Sequence, residues 1–218
     1  MFLGLWHFIL TFCHTFTDAI LRGQLVDINQ FPYAVSVQYL EYGYYSPICG
    51  GTIISDKWIL TSAECIDSIR NSQIHIRIGA NNALNDGTVM QAKRHIKHPN
   101  YQSELSSEAN IALIELKSNI EFNENVKAAN LSSHSEVPKV GSNGVFVNWS
   151  SRDDPELKKG DSTVMEQSKC IKAIDSFLYG GVKDDQFCAG PRKNACPVII
   201  NYKYKKKKQI LIKSFLIN

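Results

Sequence analysis

The stretch CGGTIISDKWILTSAEC, Cys49 to Cys65, is the one from which the fold of this chain is read. It is rich in Ile and Thr. The same rhythm continues on either side. Short runs rich in Ile, Val, Tyr and Thr recur roughly every ten residues, divided by Gly, Asn, Asp, Ser and Pro, which is the pattern of an all-β sandwich or barrel. Ala34-Val35-Ser36-Val37-Gln38 alternates as a half-buried strand should, and only Ser168 to Tyr179 reads as helical. No internal repeat is visible. Between Glu136 and Gly144, Pro138 and two glycines interrupt the apolar pattern, and the division between two domains is expected there.

Length and composition set the outer limits. A chain of 218 residues with 44% hydrophobic content can bury one large core or two small ones, which excludes a disordered protein. The formal charge of +3 is unevenly placed, because Lys203, Lys205 to Lys208 and Lys213 crowd into the end of the sequence. Basicity therefore gives no ground to expect nucleic-acid binding by the folded part. Phe2 to Phe16 form an apolar run too short to span a bilayer, followed by the small-residue segment Thr17-Asp18-Ala19. Met1 to Ala19 is thus expected to be a secretory signal cleaved after Ala19, although no Lys or Arg precedes the run; the alternative is a buried N-terminal segment. Secretion, with no transmembrane span, permits disulfides among the six cysteines. It also makes Asn130-Leu131-Ser132 and Asn148-Trp149-Ser150 glycosylation sequons at Asn130 and Asn148.

A series of motifs follows in a fixed order. Ile20-Leu21-Arg22-Gly23 is followed by Gln30-Phe31-Pro32-Tyr33, the Cys49 to Cys65 stretch, and Ile76-Arg77-Ile78-Gly79 with His98-Pro99-Asn100-Tyr101. Then come Asn110-Ile111-Ala112-Leu113-Ile114-Glu115-Leu116, Gly144 to Trp149, and Phe187-Cys188-Ala189-Gly190. In order and spacing this resembles the trypsin-like serine proteases, from Ile20 to Cys196. The resemblance implies an all-β fold of two antiparallel β-barrels, the second truncated, over residues 20–196. It implies disulfides Cys49 to Cys65 and Cys170 to Cys188. Cys13 leaves with the signal, and Cys196 is left as a free or intermolecular thiol.

The same resemblance locates what is changed. In the family the stretch ends Ala-His-Cys, and the histidine is the general base. Here the position holds Glu64, whose carboxylate, with a reference pKa of about 4.3, is too weak a base to take a serine proton near neutrality. The orienting carboxylate falls at Asn110, whose neutral amide can hold a histidine but cannot stabilise an imidazolium. The nucleophile and the oxyanion-hole amides belong to a Gly-Asp-Ser-Gly-Gly stretch after Cys196, where this chain reads Pro197-Val198-Ile199-Ile200. The pocket-floor position aligns with Asn194. No catalytic residue, metal or cofactor is therefore expected. His95 and His98 are ordinary surface or packing histidines before they are metal ligands. Glu64 with Glu108, or Ser62, Ser106 and Ser107, lack the partners that a paired-carboxylate or serine hydrolase needs.

From 197 to 218 the resemblance stops, and the lysine-rich segment reads as a mobile solvated tail or as translated non-coding sequence. The chain is expected to be a secreted, proteolytically inactive homologue. It would act as a decoy or inhibitor of host or own protease pathways, binding a protein partner at the rim of the former active site. Its substitution pattern is similar to that of the inactivated protease paralogues of parasitic mites. The alternative is a truncated gene model or decaying copy of an active serine endopeptidase. Oligomeric state is not legible.

Overall fold

The computed structural model describes residues 23–102, 109–131, 138–149, 152–169, 186–190, 198–205, 208–211 and 215–217, with 186 and 198 onward described by backbone alone. A two-residue strand, β1 (Gln24–Leu25), leads into the first of two sheets. Strands β2 (Ala34–Glu41), β3 (Tyr44–Ile53), β4 (Trp58–Thr61), β5 (Ile74–Ile78), β6 (Thr88–Lys97) and β7 (Ala112–Leu116) close into a barrel in the order β2-β3-β4-β7-β6-β5. All its pairings are antiparallel.

The inward positions explain the closure. Val35, Val37, Ile53, Ile59, Ile74, Ile76, Ile114 and Leu116 are each fully buried in one cluster. Burying a side chain of this size is worth about 1.5–3 kcal/mol relative to leaving it in water. Five of the eight are Ile and two are Val, whose branched side chains fill a curved pleated interior. The second glycine of the Cys49 stretch is required by this packing. A Cβ on Gly51 would lie 3.0 Å from both Ile59 Cγ2 and Val35 Cγ2.

Strand β2 departs from the sequence expectation. Its alternation reads as half-buried, yet Ala34, Ser36 and Gln38 on the outer face are as buried as Val35 and Val37. The reason is the segment Ala80 to Gly87, which folds back over that face. Gln38 Nε2 donates to Ala83 O at 2.5 Å, and Arg77 donates to Asp86 O at 2.6 Å and Leu84 O at 3.0 Å. Asp86 closes the segment by accepting the Asn81 N–H at 2.7 Å, and this bond is the main reason its carboxyl is held below the usual carboxylate range.

The second sheet contains β8 (Asn143–Trp149), β9 (Leu157–Met165), β10 (Gln186–Gly190), β11 (Val198–Lys205), β12 (Lys208–Leu211) and β13 (Phe215–Ile217). Their order is β12-β11-β10-β9-β8-β13, with β1 also on β9, so among the described residues this seven-stranded sheet has ends where the first has none. After residue 197, where the sequence reads as a mobile tail or as translated non-coding sequence, the chain supplies three strands. β11 pairs with β10 through Ala189↔Val198 to Gln186↔Asn201, and β13 pairs with β8 through Phe215↔Phe146 to Ile217↔Gly144. The physical cause is the unpaired amide row that β10 and β8 would otherwise leave at their edges. Residues 167–169 are helical, and the rest of the helix expected to run to Tyr179 lies outside the described residues.

The two sheets meet along a seam. Val147, Trp149 and Leu157 of the second pack with Ile28, Phe31, Ala34, Ala80 and Ala83 of the first. Asn81 holds that seam from both sides. Its carbonyl accepts from Trp149 Nε1 at 3.1 Å and Leu157 N at 2.7 Å, while its Oδ1 accepts from Ile28 N at 2.7 Å.

Candidate functional site

At the end of β4 the chain passes through Ser62 and Ala63 into a short 3-10 turn, Glu64–Ile66. Cys65 and Ile66 are buried and anchor the turn, which leaves Glu64 as its exposed residue. Two links fix the turn against β3. Thr61 Oγ1 donates to Gly50 O at 2.9 Å, and Cys49 and Cys65 form a disulfide with a Cα–Cα distance of 6.0 Å.

Asn110 approaches the turn from the other side, just before β7. Its side chain is buried at 4% exposure, and its Oδ1 accepts the backbone N–H of Glu64 at 3.0 Å. Ala109 before it takes a left-handed φ of 52°, and beyond it Ile111 O accepts His98 N–H at 2.9 Å. The sequence places Glu64 and Asn110 at the base and orienting positions, and the fold does bring them together. The contact, however, runs from a backbone amide to a side-chain oxygen. A neutral amide spent on a backbone N–H is a strut; it carries no charge with which to stabilise a protonated base. The sequence signal for this bond was the pair of positions itself, but not the direction of the bond.

The remaining candidates are scattered. Ser62 is 2% exposed and so is shut away from substrate. His95 is half-buried on β6 opposite Ile114, and burial, with Lys97 adding, pushes its pKa down. His98 Nδ1 accepts the Asn100 N–H at 3.2 Å. Among the described residues no three side chains gather into a metal-binding group. Asn130 is exposed in the segment after the first barrel, whereas Asn148 is half-buried within β8.

In the region expected to carry the nucleophile loop, residues 198–200 are strand, paired back along Phe187, Cys188 and Ala189. Cys188 is disulfide-bonded and 1% exposed, and its partner lies outside the described residues. Cys170, Asn194 and Cys196 also lie outside them, as do Ser106, Ser107, Glu108 and Met1 to Ala19, the segment expected to be a signal. Among the described residues no helix is long and apolar enough to cross a membrane.

Comparison with known proteins agrees with this architecture. A family model described as Trypsin matches residues 20–197. A trypsin of Simulium vittatum is 30% identical over 178 residues, which are 78% of this chain and 70% of the relative. A trypsin of Xenopus laevis is 30% identical, covering 79% of this chain and 68% of the relative. Trypsin 5G1 of Aedes aegypti is 26% identical, and the chain spans 64% of its length. Among solved structures, the scabies mite inactivated protease paralogue S-D1 superposes with a TM-score of 0.69 at 23% identity, covering 88% of this chain and 91% of that one. The paralogue S-I1 gives a TM-score of 0.69 at 21% identity, over 88% and 93% of the two chains. Mouse neuropsin, a serine protease, gives 0.66 at 20% identity, over 88% and 94%. At these identities the structural likenesses speak for the fold.

Proposed function

This chain belongs to the trypsin family, whose activity is serine endopeptidase, and we propose that it is a secreted member that binds a protein instead of cleaving one. The observation that carries this reading is the bond from Glu64 N–H to Asn110 Oδ1. It holds the turn in the shape that a catalytic base would need while the base itself is replaced by an exposed carboxylate. What survives is therefore a shaped rim without the proton-transfer chemistry. The structural likeness to the two scabies mite inactivated protease paralogues is consistent with a scaffold kept for contact.

In this reading the partner is a protein, and the chain acts as a decoy or inhibitor in a protease pathway of its host or its source. The test is turnover of a fluorogenic peptide panel with basic, aromatic or small residues before the scissile bond. No turnover is expected, and Glu64→His alone should restore none, because base, nucleophile and oxyanion hole act as a unit. Turnover that a serine-directed fluorophosphonate blocks would overturn the reading.

A second reading is favoured by the family match, which stops at residue 197. In it, the sequence derives from an active protease gene whose remaining coding sequence follows Cys196. A fully sequenced transcript that continues into Gly-Asp-Ser-Gly-Gly would establish this second reading and withdraw the first.

A further inference from the structure

Two sequons occur in the chain, at Asn130 and Asn148, and the fold treats them differently. Asn148 lies inside β8, paired with Lys158 of β9 and flanked by Val147 at 1% and Trp149 at 6% exposure. The Trp149 indole is fixed to Asn81 O, so the backbone on either side of Asn148 is committed both to the ladder and to the seam. Its own side chain is half-buried. On the face that Asn148 shares, Phe146 is 6% exposed, so a branched, hydrated oligosaccharide there would compete with the packing of that face and with the ladder of β8.

Asn130 meets none of these obstacles. It belongs to no strand or helix, its side chain is exposed, and Leu131 beside it is 37% exposed. The segment is held one residue earlier, where Ala129 N donates to Ile53 O at 2.8 Å. That anchor presents Asn130 at a defined place on the first barrel while leaving the acceptor amide in solvent. An oligosaccharyl transferase takes the side-chain nitrogen of an Asn in an Asn-X-Ser/Thr segment and needs that segment free of regular structure.

We infer that Asn130 is the N-glycosylation site of this protein and that Asn148 stays unmodified. The inference rests on the secretory reading above, since the modification occurs only in the secretory lumen. The glycosylated product is a β-N-glycosidic bond from Asn130 Nδ2 to a lipid-delivered oligosaccharide, with the lipid diphosphate as leaving group and one amide proton released.

The experiment expresses the full chain in a secretory eukaryotic cell, once with its own leader and once behind a heterologous leader. Peptide N-glycosidase sensitivity is read on a gel and by mass. Behind the heterologous leader, one glycosidase-sensitive shift is expected; it should disappear in Asn130→Gln and in Ser132→Ala and persist in Asn148→Gln and in Ser150→Ala. A shift seen only behind the heterologous leader supports the site while refuting secretion by the native leader. An unglycosylated chain recovered from the medium, or a shift lost in Ser150→Ala, overturns the inference. The Ser150→Ala variant leaves β8 untouched, so its result does not depend on the tolerance of that strand to change at Asn148.

Discussion

The first barrel and the second sheet are built from the same kind of strand, yet among the described residues only one of them closes. In the first, every strand from β2 to β7 has neighbours on both sides in a complete circuit. In the second, β12 and β13 are the ends of the path, and each presents backbone amides and carbonyls without a strand partner among the described residues. The difference teaches where cooperativity resides. A closed circuit opens only when several pairings break together, whereas an end strand can leave one pairing at a time.

Amide hydrogen exchange is the broadest test of that contrast. Amides in β5 and β7 should exchange only through global opening, whereas those in β12 and β13 should exchange through local fraying. A separation on the order of a thousandfold, equivalent to about 4 kcal/mol, is expected in protection. Uniform protection across both sheets would show that the strands after residue 197 close the second sheet as firmly as the first.

A core truncation sharpens the same point. Ile114 is fully buried at the centre of the closed barrel. Ile114→Ala should cost about 2–5 kcal/mol in a denaturant midpoint and bring down both halves. If only the second sheet unfolds earlier, the first barrel is not the unit on which the rest depends.

Smaller in scale is the strut at the former active site. Asn110→Ala leaves the Glu64 N–H without its acceptor next to a buried position, at a cost of about 1–3 kcal/mol. Asn110→Asp keeps an acceptor in the same place and should cost less. Equal losses in the two variants, measured by thermal unfolding, would break the assignment of the bond.

The smallest effect concerns acid. Glu115 on β7 is 8% exposed in its side chain and accepts from Arg94 Nε at 2.5 Å and Lys93 Nζ at 3.0 Å across the β6–β7 pairing. The Arg94 hydrogen bond, then the Lys93 one, holds its carboxyl below the usual carboxylate range. A carboxylate with a depressed folded pKa contributes stability that is present at neutral pH and is lost as pH falls through that folded value. Glu115→Gln should therefore flatten the acid side of the stability curve. Both cations are 55% exposed in their side chains, so added salt should shrink the difference. Identical acid curves for the two proteins would show the pair to be idle.

Some of this architecture was legible in the residues and some was not. Alternation in Ala34 to Gln38 marks β2 because strand periodicity is local, but the burial of its outer face depends on Ala83 and Asp86, far along the chain. Glu64 and Asn110 could be placed by the resemblance of Ala63-Glu64-Cys65 and Asn110-Ile111-Ala112-Leu113 to motifs of the trypsin-like proteases. That the Asn110 oxygen is taken up by a backbone amide could not, since it depends on the turn's orientation in space. Residues 197–218 read as a tail because the resemblance stops there and Lys205 to Lys208 resist burial, while the partners of β11 and β13 are edges that exist only once β10 and β8 have formed. Nonlocal pairing is invisible to any window of sequence.

β1 gives the molecule a clock. Gln24 and Leu25 pair with Lys159 and Lys158, so the first strand made is among those that must wait longest for a partner. At a synthesis rate of roughly 5–20 residues per second, that wait is on the order of ten seconds. All the residues of the first barrel emerge within the interval, and its circuit can close while β1 is still a loose end. The N-terminal strand therefore docks late, onto a second sheet that is itself being laid down, and its arrival reports that the two halves have found each other.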